Sequence, residues 1–384
     1  MPYFDDAHAV WSGYFSSRPA LKGYVRDCSR VFQAAKQLQA AVARPADMSP
    51  ANPLYLLERA MGVTQHHDAV SGTSKQHVAN DYALRLAKGR AAADGLVSAA
   101  LAALTGDATT AFLPCDLANA TICPALEAGA ATVVAVYNSG SQARPVHVRL
   151  PVGLPPGVAS YAVFNSSAAP APAQLLPLTA TDAQLRTQYY SYNASTVPIA
   201  WLAFTAEDVP PMGYAAYFLM PAAAAVEAPA TAATRSAPAP RLQRKQPQQQ
   251  PQPQQQQPLL RAAVADTTLS NGLISLTFDG ASGLLKSYAS AADGIDTPFT
   301  QAFYWWNSST GNFRNDGTGD YQQSSGAYIF RPNNTDDQAY PVAGSAATTF
   351  ITAGPVVWEA RQVFADWVVQ TVRLWAGSDT VEFE

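Results

Sequence analysis

The amino-acid sequence predicts an α+β multidomain chain, in which an antiparallel three-helix bundle is followed by antiparallel β-sandwich domains. Two changes of pattern predict this class. Up to about residue 106 apolar residues recur at helical spacing, whereas from about residue 107 they alternate, and Gly, Pro and β-branched residues become frequent. With 384 residues the chain is long enough for two or three domains.

The helical part, residues 1–106, contains three amphipathic stretches. They cover about residues 19–38, 54–64 and 79–104, and each carries apolar side chains on one face. The connections between them are short. Short connections make consecutive helices antiparallel neighbours, so the sequence predicts a three-helix bundle.

The remainder of the chain is predicted to be β structure interrupted by a linker. Residues 107–220 have alternating segments separated by turn residues, which indicates a small β-sandwich. Residues 221–259 are a low-complexity Ala/Pro/Gln tract, which is typical of an exposed linker. Residues 260–384 are predicted to begin a larger β-sandwich domain. Because the sequence stops inside a strand-like segment, we expect that domain to be truncated.

Composition argues against two classes of partner. The net charge is −4 and charged residues make up only 14% of the chain, with no basic patch that would indicate nucleic-acid binding. No apolar run approaches the ~20 residues of a membrane-spanning helix. The N-terminus has no secretory signal peptide, and we expect the chain to be part of a longer gene product.

Cysteines and glycosylation sequons favour an oxidising, lumenal compartment. Cys115 and Cys123 are spaced to close a local disulfide loop, although two unpaired thiols are the alternative. Cys28 lies on an apolar helix face and is predicted to be a buried thiol. Five Asn-X-Ser/Thr sequons are consistent with a glycoprotein of the secretory pathway. They begin at Asn119, Asn165, Asn193, Asn307 and Asn333.

Candidate metal ligands lie in a turn between the second and third helical stretches. His66, His67 and Asp68 precede Gly72, and Thr73 followed by Gln76 fits a capping box at the start of the next helix. Imidazole and carboxylate are ordinary zinc ligands, but a zinc site needs three or four of them. Because adjacent histidines are not expected to point the same way, we expect at most one of the two to serve a given site. The alternative is a histidine that hydrogen-bonds locally, with Asp68 capping the following turn.

Three stretches together resemble the α-mannosidases of glycoside hydrolase family 38. Residues 65–73 and 76–82, with the sequence Gln-His-His-Asp-Ala-Val-Ser-Gly-Thr and then Gln-His-Val-Ala-Asn-Asp-Tyr, resemble the signature of the lysosomal type. Residues 11–22 resemble the entry to the family's central helical domain. Residues 325–333 resemble a motif of its C-terminal β region. The three stretches occur in the family's order.

The resemblance implies part of a zinc-dependent retaining α-mannosidase, which hydrolyses terminal α-mannosyl residues of N-glycan oligosaccharides. Retention requires two carboxyl groups about 5–5.5 Å apart. In this family the nucleophile, the acid/base and most zinc ligands belong to an N-terminal α/β barrel, and no part of this sequence matches them. We therefore expect no catalytic residue in this chain, a missing N-terminal barrel domain as its partner, and weak zinc binding by the chain alone.

The family's site residues can be carried over at five positions. The resemblance implies that His67 is a zinc ligand and that Asp68 binds sugar hydroxyls. His66 is expected to lie next to the zinc ligand and to fix its orientation. Trp11 matches an aromatic residue at the rim of the sugar site, with a domain-interface tryptophan as the alternative. Tyr328 matches a tyrosine of the mannose pocket, with a tyrosine packed in the sheet core as the alternative.

Other readings of the sequence stay open. The aromatic run Tyr304, Trp305 and Trp306 is expected in a core rather than on a sugar-binding surface. The resemblance implies a lysosomal or vacuolar location. The alternative function is a non-catalytic carbohydrate-binding or remnant protein that lacks the barrel, and a third is a folded segment used for protein contacts.

Overall fold

The protein is represented by a computed structural model that describes residues 3–6, 9–42, 49–107, 109–189, 197–223, 265–311, 323–333, 339–352 and 354–384. The predicted mixed class is confirmed, since helices are followed by several antiparallel sheets. Apart from residues 221–223, the predicted linker at 221–259 lies outside the described residues, as does the sequon at Asn193. Within the described residues no helix is both long and apolar enough to cross a membrane.

The helical part begins with a short hairpin and continues through three longer helices. Its elements are β1 (Phe4–Asp6), β2 (Ala9–Val10), α1 (Gly13–Ser16), α2 (Pro19–Val42), α3 (Tyr55–Thr64) and α4 (Gln76–Thr105). Pro19 opens α2, where its fixed φ suits the first turn, and Gly106 ends α4 at a φ of 76°. Buried residues of the three longer helices share one core, and Cys28 lies in it as the predicted free thiol.

Helices α3 and α4 approach each other closely at Gly89. A Cβ added there would lie 2.5 Å from the Cα of Leu57 and 2.7 Å from its backbone nitrogen. Backbone atoms cannot move aside as a flexible side chain can. The absence of a side chain at this position therefore sets how closely the two helices pack.

The middle region contains two antiparallel sheets. Their strands are β3 (Thr132–Asn138), β4 (Arg144–Gly153), β5 (Ser160–Asn165), β6 (Pro170–Ala171), β7 (Ala173–Pro177), β8 (Ile199–Val209) and β9 (Gly213–Ala222). The sheet orders are β3-β9-β5-β6 and β4-β8-β7, and buried side chains of both sheets share a core. Short helices α5 (Pro124–Glu127) and α6 (Ala180–Gln184), with helical turns at Ala118–Ala120 and Leu185–Tyr189, complete it. The predicted disulfide between Cys115 and Cys123 is confirmed, with Cα atoms 5.0 Å apart.

The C-terminal region contains two four-stranded sheets and one two-stranded pair. Its strands are β10 (Thr267–Ser270), β11 (Ile274–Phe278), β12 (Leu285–Ser290), β13 (Ile295–Pro298), β14 (Tyr304–Trp305), β15 (Tyr340–Pro341), β16 (Ala347–Ile351), β17 (Val357–Ala365), β18 (Val368–Trp375) and β19 (Val381–Phe383). The orders β10-β11-β12-β13 and β16-β17-β18-β19 follow the sequence. Both four-stranded sheets contribute to a common core.

The middle and C-terminal regions meet through an apolar cluster edged by polar contacts. Gln174 is buried there, and its side chain donates to Val357 O at 3.0 Å while accepting from two backbone N–H groups. His147 of β4 stacks on Trp375 of β18, with ring centroids 4.6 Å apart and planes only 7° from parallel. These contacts fix how one region lies against the other.

One expectation about the core is wrong. Tyr304, Trp305 and Trp306 are 64%, 37% and 38% exposed, so the run is not part of a core. Strand β14 has one partner, β15, and no described sheet covers its aromatic side chains. A run of aromatic residues predicts burial only where a second layer packs over it.

We predict that Gly89→Ala destabilises the chain by about 1–3 kcal/mol, because the new methyl group meets backbone that cannot yield. Chemical denaturation measures the free energy of unfolding. Gly95→Ala in the same helix is the matched control, since a Cβ there has no neighbour within 4 Å. The free energy of unfolding of that control should rise by about 0.5–1 kcal/mol, because Ala has a higher helix propensity than Gly. Equal effects of the two substitutions would contradict the close helix contact.

We predict that His147 makes the chain less stable in acid. Burial lowers the pKa of His147 from its ordinary value of 6.5, and the charge of Glu382 opposes this only in part. Because the unfolded chain then binds a proton more readily than the folded chain, stability is lost as pH falls through about 6.5. His147→Phe keeps a flat ring against Trp375 and should show a smaller fall in melting temperature between about pH 8 and pH 5. His77→Phe, at an exposed position of α4, controls for loss of an imidazole.

Candidate functional site

The candidate site is built on the turn between α3 and α4. The backbone reverses through hydrogen bonds from Ala69 N to His66 O at 2.9 Å and from Ser74 N to Asp68 O at 3.1 Å. Gly72 has a φ of 80°, and a Cβ at this position would overlap the carbonyl group of Ser17. The turn therefore needs glycine both for its conformation and for its contact with the end of α1.

His66, His67 and Asp68 form a cluster of potential metal ligands. Their ligand atoms all lie within 4.8 Å of one another, and no other such cluster of His, Cys, Asp or Glu occurs in the part of the chain that the structure describes. Asp68 Oδ2 is 3.6 Å from His66 Nε2 and 3.7 Å from His67 Nε2. Two ligands of a tetrahedral zinc ion lie about 3.4 Å apart, so the donor types and the two Asp68–histidine separations suit zinc, whereas a complete site needs a further ligand.

The expectation that adjacent histidines point to different places is wrong. The rings of His66 and His67 are 4.3 Å apart and inclined by 46°, and both face the same oxygen of Asp68. Successive side chains oppose one another in an extended strand, but the tight turn here brings them to one side. His67 is the more exposed of the two.

The two oxygens of Asp68 have different surroundings. Oδ1 accepts a hydrogen bond from Thr73 Oγ1 at 2.9 Å and another from Tyr328 Oη, while Oδ2 faces the histidines. The hydrogen bonds from Tyr328 and Thr73, and then the neighbouring imidazoles, lower the pKa of Asp68. These hydrogen bonds thus favour the charged carboxylate, and its second oxygen, Oδ2, faces the imidazoles.

The predicted capping box at Thr73 is wrong. Helix α4 begins at Gln76 with Lys75 as its N-cap residue, and no side chain caps it. The hydroxyl of Thr73 bonds to Asp68 instead, and a further contact of 2.8 Å links it to Ser71 Oγ. A pattern typical of a helix start therefore concealed a residue that orients the carboxylate.

Trp11 and Tyr328 complete the site from two distant parts of the chain. Their ring centroids are 5.9 Å apart with planes inclined by 64°, and the ring centroid of Tyr3 lies 5.5 Å from that of Trp11. The indole nitrogen of Trp11 is buried and has no hydrogen-bond partner among the residues that the structure describes. An unpaired buried donor is costly, which makes this N–H a candidate to bind a ligand.

Backbone pairing holds Tyr328 over the turn. Val10 and Phe330 exchange two backbone hydrogen bonds, of 3.0 and 2.8 Å, and Gly13 N donates to Tyr328 O at 3.1 Å. A Cβ at Gly13 would lie 2.7 Å from Gly326 O, so the two segments approach too closely for any larger residue. The segment at 325–330 is therefore fixed against the start of the helical region.

Two cations bind the carbonyl groups of the turn. Lys22 Nζ donates to Val70 O at 2.7 Å and to Ser71 O at 2.6 Å, and Arg18 Nη1 donates to Gly72 O. Burial lowers the pKa of Lys22. Sequence reasoning missed both roles, although Arg18 and Lys22 lie within the stretch at 11–22 that supported the family resemblance.

Three family models match separate parts of the chain. The α-mannosidase middle domain matches residues 9–104, the lysosomal α-mannosidase-like central domain matches residues 171–219, and the glycosyl hydrolases family 38 C-terminal domain matches residues 269–384. Two of these matches include residues of the candidate site.

Relatives match along the whole chain. It is 35% identical over 386 residues to the lysosomal α-mannosidase of Homo sapiens. It is 33% identical over 415 residues to a probable α-mannosidase of Arabidopsis thaliana, and 31% identical over 400 residues to an α-mannosidase of Canavalia ensiformis. The alignments cover 100% of this chain but 33%, 36% and 36% of these relatives. The chain thus spans about a third of the length of the curated relatives that it matches.

Solved structures show the same fold at low sequence identity. A glycosyl hydrolase family 38 protein and an α-mannosidase, both from Enterococcus faecalis, match with TM-scores of 0.50 and 0.51 at 14% identity. Each match covers 97% of this chain, and 43% and 41% of the respective bacterial chains. Taken with the family models and the relatives, these matches confirm the predicted resemblance: the chain contains an α-mannosidase middle domain and a glycosyl hydrolases family 38 C-terminal domain.

Proposed function

We propose that this chain supplies part of the zinc and sugar site of a retaining α-mannosidase, which removes terminal α-mannosyl residues from N-glycan oligosaccharides. One observation carries the proposal. The side chain of Tyr328 donates a hydrogen bond to Asp68, whose other oxygen faces His66 and His67. The side chains that we assign to the metal and to the sugar thus lie in one place, although they come from distant parts of the chain.

Each residue has a role that its surroundings support. His67 is exposed and directs a nitrogen toward the cluster, so we assign it as the zinc ligand. His66 is less exposed, and its ring lies 4.3 Å from that of His67, so we assign it the role of holding the orientation of His67. Asp68 is held as a carboxylate with one oxygen free of protein hydrogen-bond donors, which suits acceptance of hydrogen bonds from sugar hydroxyls.

The aromatic residues would shape the sugar pocket. Trp11 offers a flat face beside Tyr328 and a buried N–H without a partner, and both features suit a sugar ring that carries hydroxyl groups. Tyr328 is exposed, in contrast to the alternative of a tyrosine packed in the sheet core. A bound zinc ion would act as a Lewis acid that polarises and orients oxygen ligands at the cluster.

The reaction needs more groups than the cluster contains. Retention requires a pair of carboxyl groups, and the cluster in the described residues has one, Asp68. We propose that an α/β barrel domain supplies the nucleophile, the acid/base and the remaining zinc ligands, and that this chain alone binds zinc weakly and does not hydrolyse glycosides. The same single carboxylate favours the second candidate function, a non-catalytic carbohydrate-binding protein.

Domain arrangement and location belong to the same proposal. We propose a three-helix bundle at 1–106, a small β-sandwich at 107–220 and a larger β-sandwich from 260, which the separate cores support. A lysosomal or vacuolar glycoprotein is consistent with the names of the relatives and with the disulfide. The sequon residues Asn119, Asn307 and Asn333 are exposed, as glycosylation requires.

We predict that His67→Ala lowers zinc affinity when the chain is joined to the barrel domain of a relative. The expected loss is at least about tenfold, since even outer partners of a metal ligand cost 10–100-fold. Zinc content after dialysis, measured by X-ray fluorescence, gives the result. His77→Ala is the control, because His77 lies outside the cluster on the exposed side of α4. Full zinc content and full activity in His67→Ala would contradict the assignment.

We predict that Tyr328→Phe lowers kcat/KM of the joined enzyme about 10–100-fold, as expected when a hydrogen bond to a charged group is lost. Zinc content should stay unchanged, because Tyr328 contacts Asp68 Oδ1 and not the histidines. Tyr288→Phe, in the sheet formed by β10–β13, is the control. Loss of zinc from Tyr328→Phe would instead assign the tyrosine to the metal site.

A further inference from the structure

A long groove lies between α2, α4 and the loop that the disulfide of Cys115 and Cys123 closes. Its volume is about 1140 Å³, whereas typical ligand pockets have roughly 300–1,000 Å³. The groove is open along α2 at Gly23, where an added Cβ would meet no atom within 4 Å. Asn119 of the disulfide loop is exposed and lines the same groove. A residue that begins a glycosylation sequon is thus part of the groove wall.

We propose that Asn119 carries an N-glycan and that the first sugars of this glycan lie in the groove between α2 and α4. The inference rests on the proposed function in one respect, since N-glycosylation requires the secretory-pathway location. It goes beyond that function because it gives one glycan a fixed place in the fold, where it would join the disulfide loop to the helices.

The sequon at Asn119 is suited to modification before the loop folds. The side chain of Asn119 makes no hydrogen bond within the described residues. Thr121 supplies the hydroxyl of the sequon, but it is fully buried, and that hydroxyl donates to Ala120 O at 2.6 Å. Transfer therefore precedes folding. The amide nitrogen of Asn119 bonds to C1 of a lipid-linked oligosaccharide diphosphate and loses one proton, while the C1–O bond breaks and the lipid diphosphate leaves.

The groove offers both polar and apolar partners for a sugar ring. Its polar lining residues are Arg18, Asp27, Arg30, Gln76, Asn80 and Asp116. Asn80 accepts from Gln76 Nε2 at 2.8 Å, and the amide N–H groups of Asn80 have no partner within the described residues. Tyr24, Ala83 and Ala87 supply apolar surface between the polar groups. A sugar ring has hydroxyl groups at its edge and C–H groups on its faces, so such a mixed lining suits it.

The groove leads from the disulfide loop toward the candidate site. At one end Asp116 of the loop accepts a hydrogen bond from Arg90 Nη2 at 2.6 Å. At the other end Arg18 donates to Gly72 O, in the turn that carries the cluster of potential metal ligands. Between these ends the lining residues of α4 cover positions 76–91, which is about 22 Å at 1.5 Å per residue. A glycan that follows the groove from Asn119 therefore extends toward that turn.

Enzymatic deglycosylation of the folded full chain tests the proposal. The chain is secreted from mammalian cells and treated with peptide-N-glycosidase F, and mass spectrometry of glycopeptides follows each sequon. We expect release from Asn119 to be at least about tenfold slower than from Asn307, because the enzyme acts only on the fraction of molecules whose glycan has left the groove. Asn307 is the matched control, since it is exposed and does not line the groove. In the denatured chain both glycans should be released equally fast.

The variant Ala87→Trp tests whether the groove itself protects the glycan. Ala87 is exposed and lines the groove, so an indole at this position would occupy the groove without entering the core. Release from Asn119 should then become as fast as release from Asn307. Ala99→Trp is the control, because Ala99 is an exposed residue of α4 that does not line the groove.

Two results would overturn this proposal and leave the proposed zinc and sugar site untouched. One is an unmodified Asn119 in a chain that is glycosylated at Asn307, and the other is equally fast release from both residues in the folded chain. If Ala87→Trp abolishes association with the barrel domain while the Asn119 glycan is freely released, the groove is a domain-docking surface, which also overturns the proposal. A natural protein without a glycan at any sequon would contradict the secretory-pathway location, and this proposal with it.

Discussion

The site depends on one long-range contact, the hydrogen bond from Tyr328 to Asp68. The two residues are 260 positions apart, and the chain between them forms two sheet regions of its own. A single hydrogen bond cannot hold such distant segments in register. The contact exists because Val10 pairs with Phe330 and because Gly13 lets the backbone at Gly326 come close. The backbone pairing and the absence of a side chain at Gly13 thus fix the segment around Tyr328 against the helical region. The hydrogen bond from Tyr328 to Asp68 is a consequence of that placement.

The helical turn is positioned by an independent set of contacts. Lys22 and Arg18 direct their charges at three consecutive carbonyl groups, and Gly72 lies against Ser17. Carbonyl groups of an irregular turn have no helical partners, so side-chain donors stabilise them. Both cations are at the start of α2, close to the segment that pairs with Phe330. The first turns of the chain therefore hold both halves of the site.

The sequence predicted the positions of helices and strands better than the contacts and exposure of individual side chains. Pro19 and the apolar stripe after it located α2, and alternation located strands such as β4 and β8, because these signals are local. The five predicted site residues do come together, but only the family resemblance could bring Tyr328 to Asp68. Thr73 was predicted to cap α4 because the sequence Thr73 to Gln76 fits a capping box. Such a pattern shows that a cap is possible, but it does not show that Asp68 is the nearer hydrogen-bond acceptor. Trp305 is exposed because no described sheet packs over β14, and a local sequence pattern does not record whether a second layer is present.

The asymmetry of Asp68 would let one small turn take both of its proposed roles, toward a metal ion and toward a sugar. Tyr328 and Thr73 both bond to Oδ1, so the carboxylate cannot rotate without losing two hydrogen bonds. Oδ2 is then directed toward the imidazoles of His66 and His67. The hydrogen bonds also lower the pKa of the carboxyl group, which favours its negatively charged form. A cation bound at the histidines and a hydroxyl bound at the carboxylate would each strengthen the other, because both rely on that charge remaining in place.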